Sequence, residues 1–391
     1  MNDKSIGYQK TARYSLRMNP TAALEAVQRA AGTLACESVA LDLRSDDAAA
    51  AGWLAEVLQP WFAPTRQEAE WRVAISSCPD AYAEWACQGR SKICQRACFA
   101  FDQQLLLLPT WSEDRRVVVA DAERSCFLTL APSDVRVFGD PGTRRWRMDC
   151  LWVFCEIAAT RLRRTWADMH AAAVEHGGRA MLISGPKNSG KTTLLLHLLR
   201  SGLCRPIAND RAFVGCTQDS CEVRGMPTAV KIRPDTLAEF PELTRGLSGV
   251  TRPYLYSLDE LAAMPGKDGG RLDEDFALSP AQFARRLQVD PAASAPLGAI
   301  VFPSIDTGLD GWTVERLHPR EVSEAIRANR YGPPGQRTAT IFEDLIGDAS
   351  PSPRLPESIA ESIPGYRVLL GRNAYGQPDF ASRFLEISSV S

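Results

Sequence analysis

Residues 185–192 read Gly-Pro-Lys-Asn-Ser-Gly-Lys-Thr, and these residue types at this spacing suit one task, the holding of phosphate. Gly185 and Gly190 leave room for backbone N–H groups to turn toward an anion, with Pro186, Lys187, Asn188 and Ser189 forming the body of the loop. Lys191 would reach the β- and γ-phosphates and the Thr192 hydroxyl would ligate Mg²⁺, with Thr193 beside it completing the set. The bare pattern G-x-x-x-x-G-K-[ST] arises by chance in about one in a hundred chains of this length, so its surroundings matter. Met181–Ser184 is an apolar strand pattern, and Lys191–Arg200 is a helical one ended by Gly202. A strand, a glycine-rich turn and a helix in that order aim the helix's positive end at the loop, which predicts a nucleotide phosphate site.

Such a site needs an acid. Arg205–Arg211 reads as the next strand with Asp210 at its carboxyl end, where ligands bind in α/β sheets. Asp210 could hold Mg²⁺ or take the proton of an acceptor hydroxyl; its plainer reading is a turn or capping aspartate before Phe213-Val214. Arg211 beside it reads as a solvated charge. Arg224, Lys231 and Arg233 could clamp phosphate or an anionic acceptor, or be charges on an exposed strand face. By itself His170 reads as a core or capping histidine. His176, His197 and His318 show no partner pattern, and His197 reads as packing or surface.

The runs Met169–Val174, Ile207–Asp210, Val223–Thr228 and Gly298–Pro303, taken with the glycine loop, resemble the HPr kinase/phosphorylase family and its smaller serine-kinase-like relatives. The resemblance spans roughly residues 166–320 and, more weakly, Ile363–Arg367. It implies an α/β P-loop kinase core with a mixed sheet similar to the nucleotide core of phosphoenolpyruvate carboxykinase. It also implies ATP-dependent, Mg²⁺-requiring transfer of the γ-phosphoryl group to a serine-like hydroxyl on a peptide, protein or small molecule. Carried over by position, His170 falls beside the transfer site with Asp210 and Lys191 as its catalytic companions. Where the family shows two adjacent acids this chain has Asn209-Asp210, and asparagine cannot act as a general base. A regulatory nucleotide-binding protein descended from such kinases is therefore the alternative. The relatives often form rings, so a homo-oligomer is a further expectation.

The elements that must position these residues come from a chain of 391 residues, 45% hydrophobic and 24% charged, which predicts two domains with real cores. We place an N-terminal α+β domain at 1–165, selecting the acceptor or mediating self-association, and the P-loop domain at 166–391. In the first, helices are predicted at Pro20–Ala31, Ala48–Leu58 and Arg145–Trp166. Glu37–Leu43 reads as a strand, and the short runs between Trp71 and Phe138 read as an antiparallel sheet. Arg161, Arg163 and Arg164 read as a solvated helix face. Residues 245–271 read as a long loop, Asp348–Pro356 as a linker, Leu297–Phe302 and Tyr366–Leu370 as strands, and Pro378–Ile387 as a terminal helix. With 45 Lys and Arg against 47 Asp and Glu, the chain lacks the basic excess of a non-specific nucleic-acid binder. The polar amino terminus and the lack of a long apolar run predict neither secretion nor membrane insertion. Eleven cysteines without a C-x-x-C pair read as reduced, mostly buried thiols of a cytoplasmic protein.

Overall fold

A computed structural model describes residues 30–77, 94–98, 103–107, 116–119, 126–131, 133–139, 144–217, 220–247, 250, 252–264, 276–330 and 358–387. The fold is mixed α/β, with two large mixed sheets. The expected linker at 348–356 lies outside the described residues, as do 1–29.

The first sheet holds β1 (Ala30–Cys36), β2 (Val39–Ser45), β3 (Ala63–Pro64), β4 (Trp71–Ser76), β5 (Cys94–Cys98), β6 (Gln103–Leu107), β7 (Arg116–Val119), β8 (Cys126–Ala131) and β9 (Asp134–Gly139) in the order β3-β1-β2-β4-β9-β8-β7-β6-β5. Two sequence expectations are corrected here. Ala30 and Ala31 begin a strand instead of ending a helix. The sheet is not purely antiparallel, because β2, β4 and β9 pair in parallel. The cause of the β2–β4 direction is α1 (Ala48–Leu58), a crossover helix that returns the chain to the end it left. Asp47 caps α1, its carboxylate accepting from Ala50 N at 2.9 Å.

Helix α2 (Trp146–Leu162) is buried on almost every side, and its buried Arg147 and Glu156 are paired with opposite charges, as burial demands. It ends at Leu162, because Trp166 opens the next strand. Its core with α1 and the first sheet also takes in Phe213 and Met226 from the second.

The second sheet is built from β10 (Trp166–His176), β11 (Arg179–Ser184), β12 (Arg205–Ala208), β13 (Arg211–Cys216), β14 (Cys221–Gly225), β17 (Ser294–Asp310), β18 (Trp312–Arg316) and β19 (Gly365–Arg372). Its path runs β11-β10-β13-β14-β17-β19-β18, and a parallel pairing of β11 with β17 closes β11, β10, β13, β14 and β17 into a ring. A small pair, β15 (Val230–Lys231) with β16 (Ala277–Leu278), lies apart. Around these sit α3 (Lys191–Arg200), α4 (Pro234–Glu239), α5 (Leu258–Ala262), α6 (Pro280–Leu287), α7 (Pro319–Ala328), α8 (Ser358–Ser362) and α9 (Phe380–Glu386). The described part of the expected 245–271 loop contains α5 and a 3₁₀ turn at Pro253–Leu255. Among the described residues no helix is long and apolar enough to cross a membrane.

Two further expectations fail. Arg205–Arg211 is not one strand: the chain bends at Asn209-Asp210, ending β12 and starting β13, both of which run antiparallel to β10. Cys216 and Cys221, paired in register across the β13–β14 hairpin, form a disulfide with Cα atoms 4.1 Å apart. Cys36, Cys150, Cys155 and Cys204 are the buried thiols the sequence predicts.

Candidate functional site

The site gathers where β10 changes partners. Through His170 it pairs with β13; from Ala171 onward it pairs with β11, and near Ala173 with β12. The Asn209-Asp210 turn fills the gap left where β12 stops and β13 begins. Asp210 O accepts from Ala171 N at 3.1 Å, fixing the turn against the strand. Ala171 is also the register partner of Ser184, so His170 lies next to the point where the glycine loop leaves β11.

The loop itself has two left-handed positions, Asn188 at φ 70° and Gly190 at φ 92°. The second caps α3, and a side chain there would be strained and would meet Ile305 of β17. Gly185 has no room for a Cβ, which would sit 2.7 Å from Ser189 Oγ. Helix α3 is anchored by Leu194, Leu195, Leu196, Leu198 and Leu199, all fully buried, which fixes the direction of its positive end. Pro186, Lys187 and Asn188 face water, whereas Ser189 and Lys191 are buried. Lys191 Nζ donates to Gly185 O at 2.8 Å and Pro186 O at 2.9 Å, so the ammonium lies within the loop's curve. Burial lowers its pKa, opposed by the Asp210 charge. Thr192 and Thr193 are half-buried at the start of α3, and Thr193 Oγ1 lies 3.4 Å from Thr236 Oγ1. Among the described residues, the buried hydroxyls of Ser184 and Ser189 find no hydrogen-bond partner.

His170 Nε2 lies 3.0 Å from Asp210 Oδ1. Desolvation raises the Asp210 pKa, but the His170 hydrogen bond and the charges of His170, Lys191 and Lys231 outweigh it and hold the carboxyl below its usual range. An ionised carboxylate only accepts, so Nε2 carries the bonding proton. Asn209 is committed elsewhere: its Oδ1 accepts from Thr228 Oγ1 at 2.9 Å.

The sequence candidates thus separate. His170, Asp210, Lys191 and the 185–193 loop converge, and Lys231 is exposed within electrostatic reach of Asp210. Arg224 is bound to Glu37 of the β1–β2 turn, and Arg233 is an exposed residue capping α4. His197 stacks on Tyr375 at 3.7 Å, with burial and the Arg200 charge lowering its pKa to about 4; it is packing.

Arg211 is not a solvated charge. Its guanidinium donates to Glu156 and, at 3.2 and 2.9 Å, to Asp168. Arg163 donates to the same two acids, at 2.9 Å to Asp168 and 3.3 Å to Glu156. The four side chains are at most 6% exposed, so Arg163 also departs from the solvated face expected of it. Arg161 pairs with Glu70. A signal was available in the sequence, since an apolar α2 carrying Glu156 requires a buried cation.

No protein-family model matches the chain, and no curated protein matches it. Among solved structures, the HPr(Ser) kinase/phosphatase from Coxiella burnetii is similar over 57% of this chain and 99% of that one, at 11% identity and a TM-score of 0.25. A score of that size lends the site no support.

Proposed function

We propose that the chain is an ATP-dependent, Mg²⁺-requiring kinase that phosphorylates a serine-like hydroxyl on a peptide, protein or small molecule. The observation that carries this reading is the meeting of the glycine loop with the His170–Asp210 pair at one strand changeover. The fit to a triphosphate rests on three features: the Gly185 position a Cβ would fill, the unpartnered Ser189 hydroxyl, and the Lys191 ammonium held on loop carbonyls. Lys191 and the loop amides would neutralise phosphate charge. Thr192 and Asp210 are the residues that would hold Mg²⁺. Among the described residues no three His, Cys, Asp or Glu side chains group as a metal site, so such an ion would draw on phosphate and water oxygens, as Mg²⁺ usually does. When bound, ATP·Mg²⁺ supplies the transferable phosphoryl group. Asp210, oriented by His170, would accept the proton of the attacking hydroxyl.

The test is γ-labelled ATP with Mg²⁺, offered free serine, small hydroxyl compounds and peptides. Label on an acceptor, abolished in a folded Lys191→Ala chain, is the expected result; equal transfer by that variant would sink the reading. One observation favours a second reading, a regulatory nucleotide binder: the Asn209 side chain is spent on Thr228, leaving Asp210 the sole acid of the turn. ATP binding without transfer to any acceptor, unchanged in Asp210→Ala, would select it.

A further inference from the structure

The turn that carries Asp210 is held from both sides by side chains of the amino-terminal half. Upstream, Trp61, which follows α1, donates its indole Nε1–H to Ile207 O at 2.8 Å, with both atoms buried. That contact is possible because Gly225 on β14 has no side chain; a Cβ there would collide with both Ile207 O and the Trp61 nitrogen. Downstream, the residue after Asp210 is Arg211, tied to Glu156 of α2 and to Asp168 of β10. Asp168 in turn lies two positions before His170 on the same strand, and Arg163 at the end of α2 binds it at 2.9 Å. Four buried charges, two of each sign, thus join the helix to the two strands that carry the reacting pair.

We infer that Trp61 and Glu156 are positioning residues for Asp210 and His170, so that the amino-terminal half is a working part of the site. The physical ground is that the contact between the two side chains is weak. The side chains of His170 and Asp210 are 34% and 55% exposed, and an exposed pair fixes little geometry by its own energy. Precise placement must come from the backbone on either side, and that backbone is gripped by groups whose loss would leave a buried carbonyl or guanidinium unpaired. Nothing comparable from the amino-terminal half reaches the 185–190 loop among the described contacts, so the effect is confined to the turn. The inference rests on the reading of His170 and Asp210 as the reacting pair, but its test does not need turnover.

The experiment follows the His170 ring signal by NMR in the full-length chain, which has four histidines, assigned by its loss in His170→Gln. Asp210→Asn gives the position of that signal when the partner carboxylate is gone. The conservative variants Trp61→Phe, which keeps an aromatic ring without the donor, and Glu156→Gln, which keeps shape without charge, should each move it at least half of the way there. Affinity for ATP without Mg²⁺, which tests the 185–193 loop alone, should stay within two-fold of wild type in both. A wild-type His170 signal in both folded variants would overturn the inference. So would a ten-fold loss of Mg²⁺-free ATP affinity, since the effect would then not be confined to the turn, or an unfolded Trp61→Phe chain, since Trp61 would then serve the fold alone. Wild-type protein that binds no MgATP sinks the kinase reading, while the His170 signal still decides this one.

Discussion

Removal of Arg211 tests the buried charge cluster most directly. Two arginines and two carboxylates balance one another at 3.3 Å or closer, with side chains at most 6% exposed. Replacing Arg211 with methionine leaves Glu156 and Asp168 to share Arg163, a net charge of −1 shut away from water. Breaking one partner out of a buried ionic group costs about 3–5 kcal/mol, at least about a fifth of a typical total stability of about 5–15 kcal/mol. The melting temperature should fall by about 10 °C. The pH dependence gives a sharper check. In the wild type, burial raises the pKa of both acids but the arginine charges outweigh it, holding them below their ordinary values of 4.5 and 3.8. Their contribution is therefore complete above those values and fades as the pH falls through the lower folded ones. Without Arg211, burial wins at one carboxyl, its folded pKa rises above the unfolded value, and protonation relieves the unpaired charge. Urea denaturation should thus show the widest gap between variant and wild type near pH 7, narrowing below about pH 5. Adding Glu156→Gln restores a neutral Arg163–Asp168 pair, so the double variant should lose at least about 1 kcal/mol less than the sum of the singles. A cost under about 1 kcal/mol at pH 7, or an equal gap at pH 7 and pH 4.5, would refute the reasoning.

Asp210→Asn should behave in the opposite way: an exposed pair is worth about 0–1 kcal/mol, so its melting point should stay near wild type while phosphoryl transfer is lost. Parallel melting and transfer losses would mean that Asp210 is structural. Gly225→Ala should destabilise by about 3 kcal/mol, measured in urea, because the added methyl strikes backbone at Ile207; a wild-type midpoint would show the Trp61 contact to be absent. Reducing the Cys216–Cys221 disulfide should cost at most about 2 kcal/mol, since it closes a short loop between strands already in register. A larger fall in midpoint with reductant would show that the crosslink supports more than its own hairpin.

What the sequence discloses about this site follows from distance along the chain. The strand, loop and helix from Met181 to Arg200 are written in adjacent residues: an apolar run, glycines where left-handed backbone is needed, and a leucine-rich helix. They lie where expected. Arg211 was misread because its meaning depends on Glu156 and Asp168, 55 and 43 positions away. The break at Asn209-Asp210 is hidden in the strand read over Arg205–Arg211, because two polar residues after Ile207-Ala208 pass for the end of that strand. Only the partner exchange along β10 shows why the chain must bend there. The parallel pairing of β2 with β4 could have been read from the helix between them. The parallel pairing of β4 with β9 could not, because the segment joining them is itself a meander of strands.

The closed ring of strands also bears on how the protein is made. Ala180 of β11 and its partner Leu297 of β17 are 117 residues apart. At a synthesis rate of about 5–20 residues per second, β17 leaves the ribosome roughly 6–23 s after β11. Through that interval β11 can pair with β10 and carry its loop and helix, but one edge stays open to any other strand nearby. The 185–190 loop lies at that edge, with Pro303 and Ile305 of β17 as its late-arriving wall. Until β17 arrives, the nascent chain therefore carries an unpaired strand edge beside the 185–190 loop, and it is the late β17 that both closes the ring and completes the loop's surroundings.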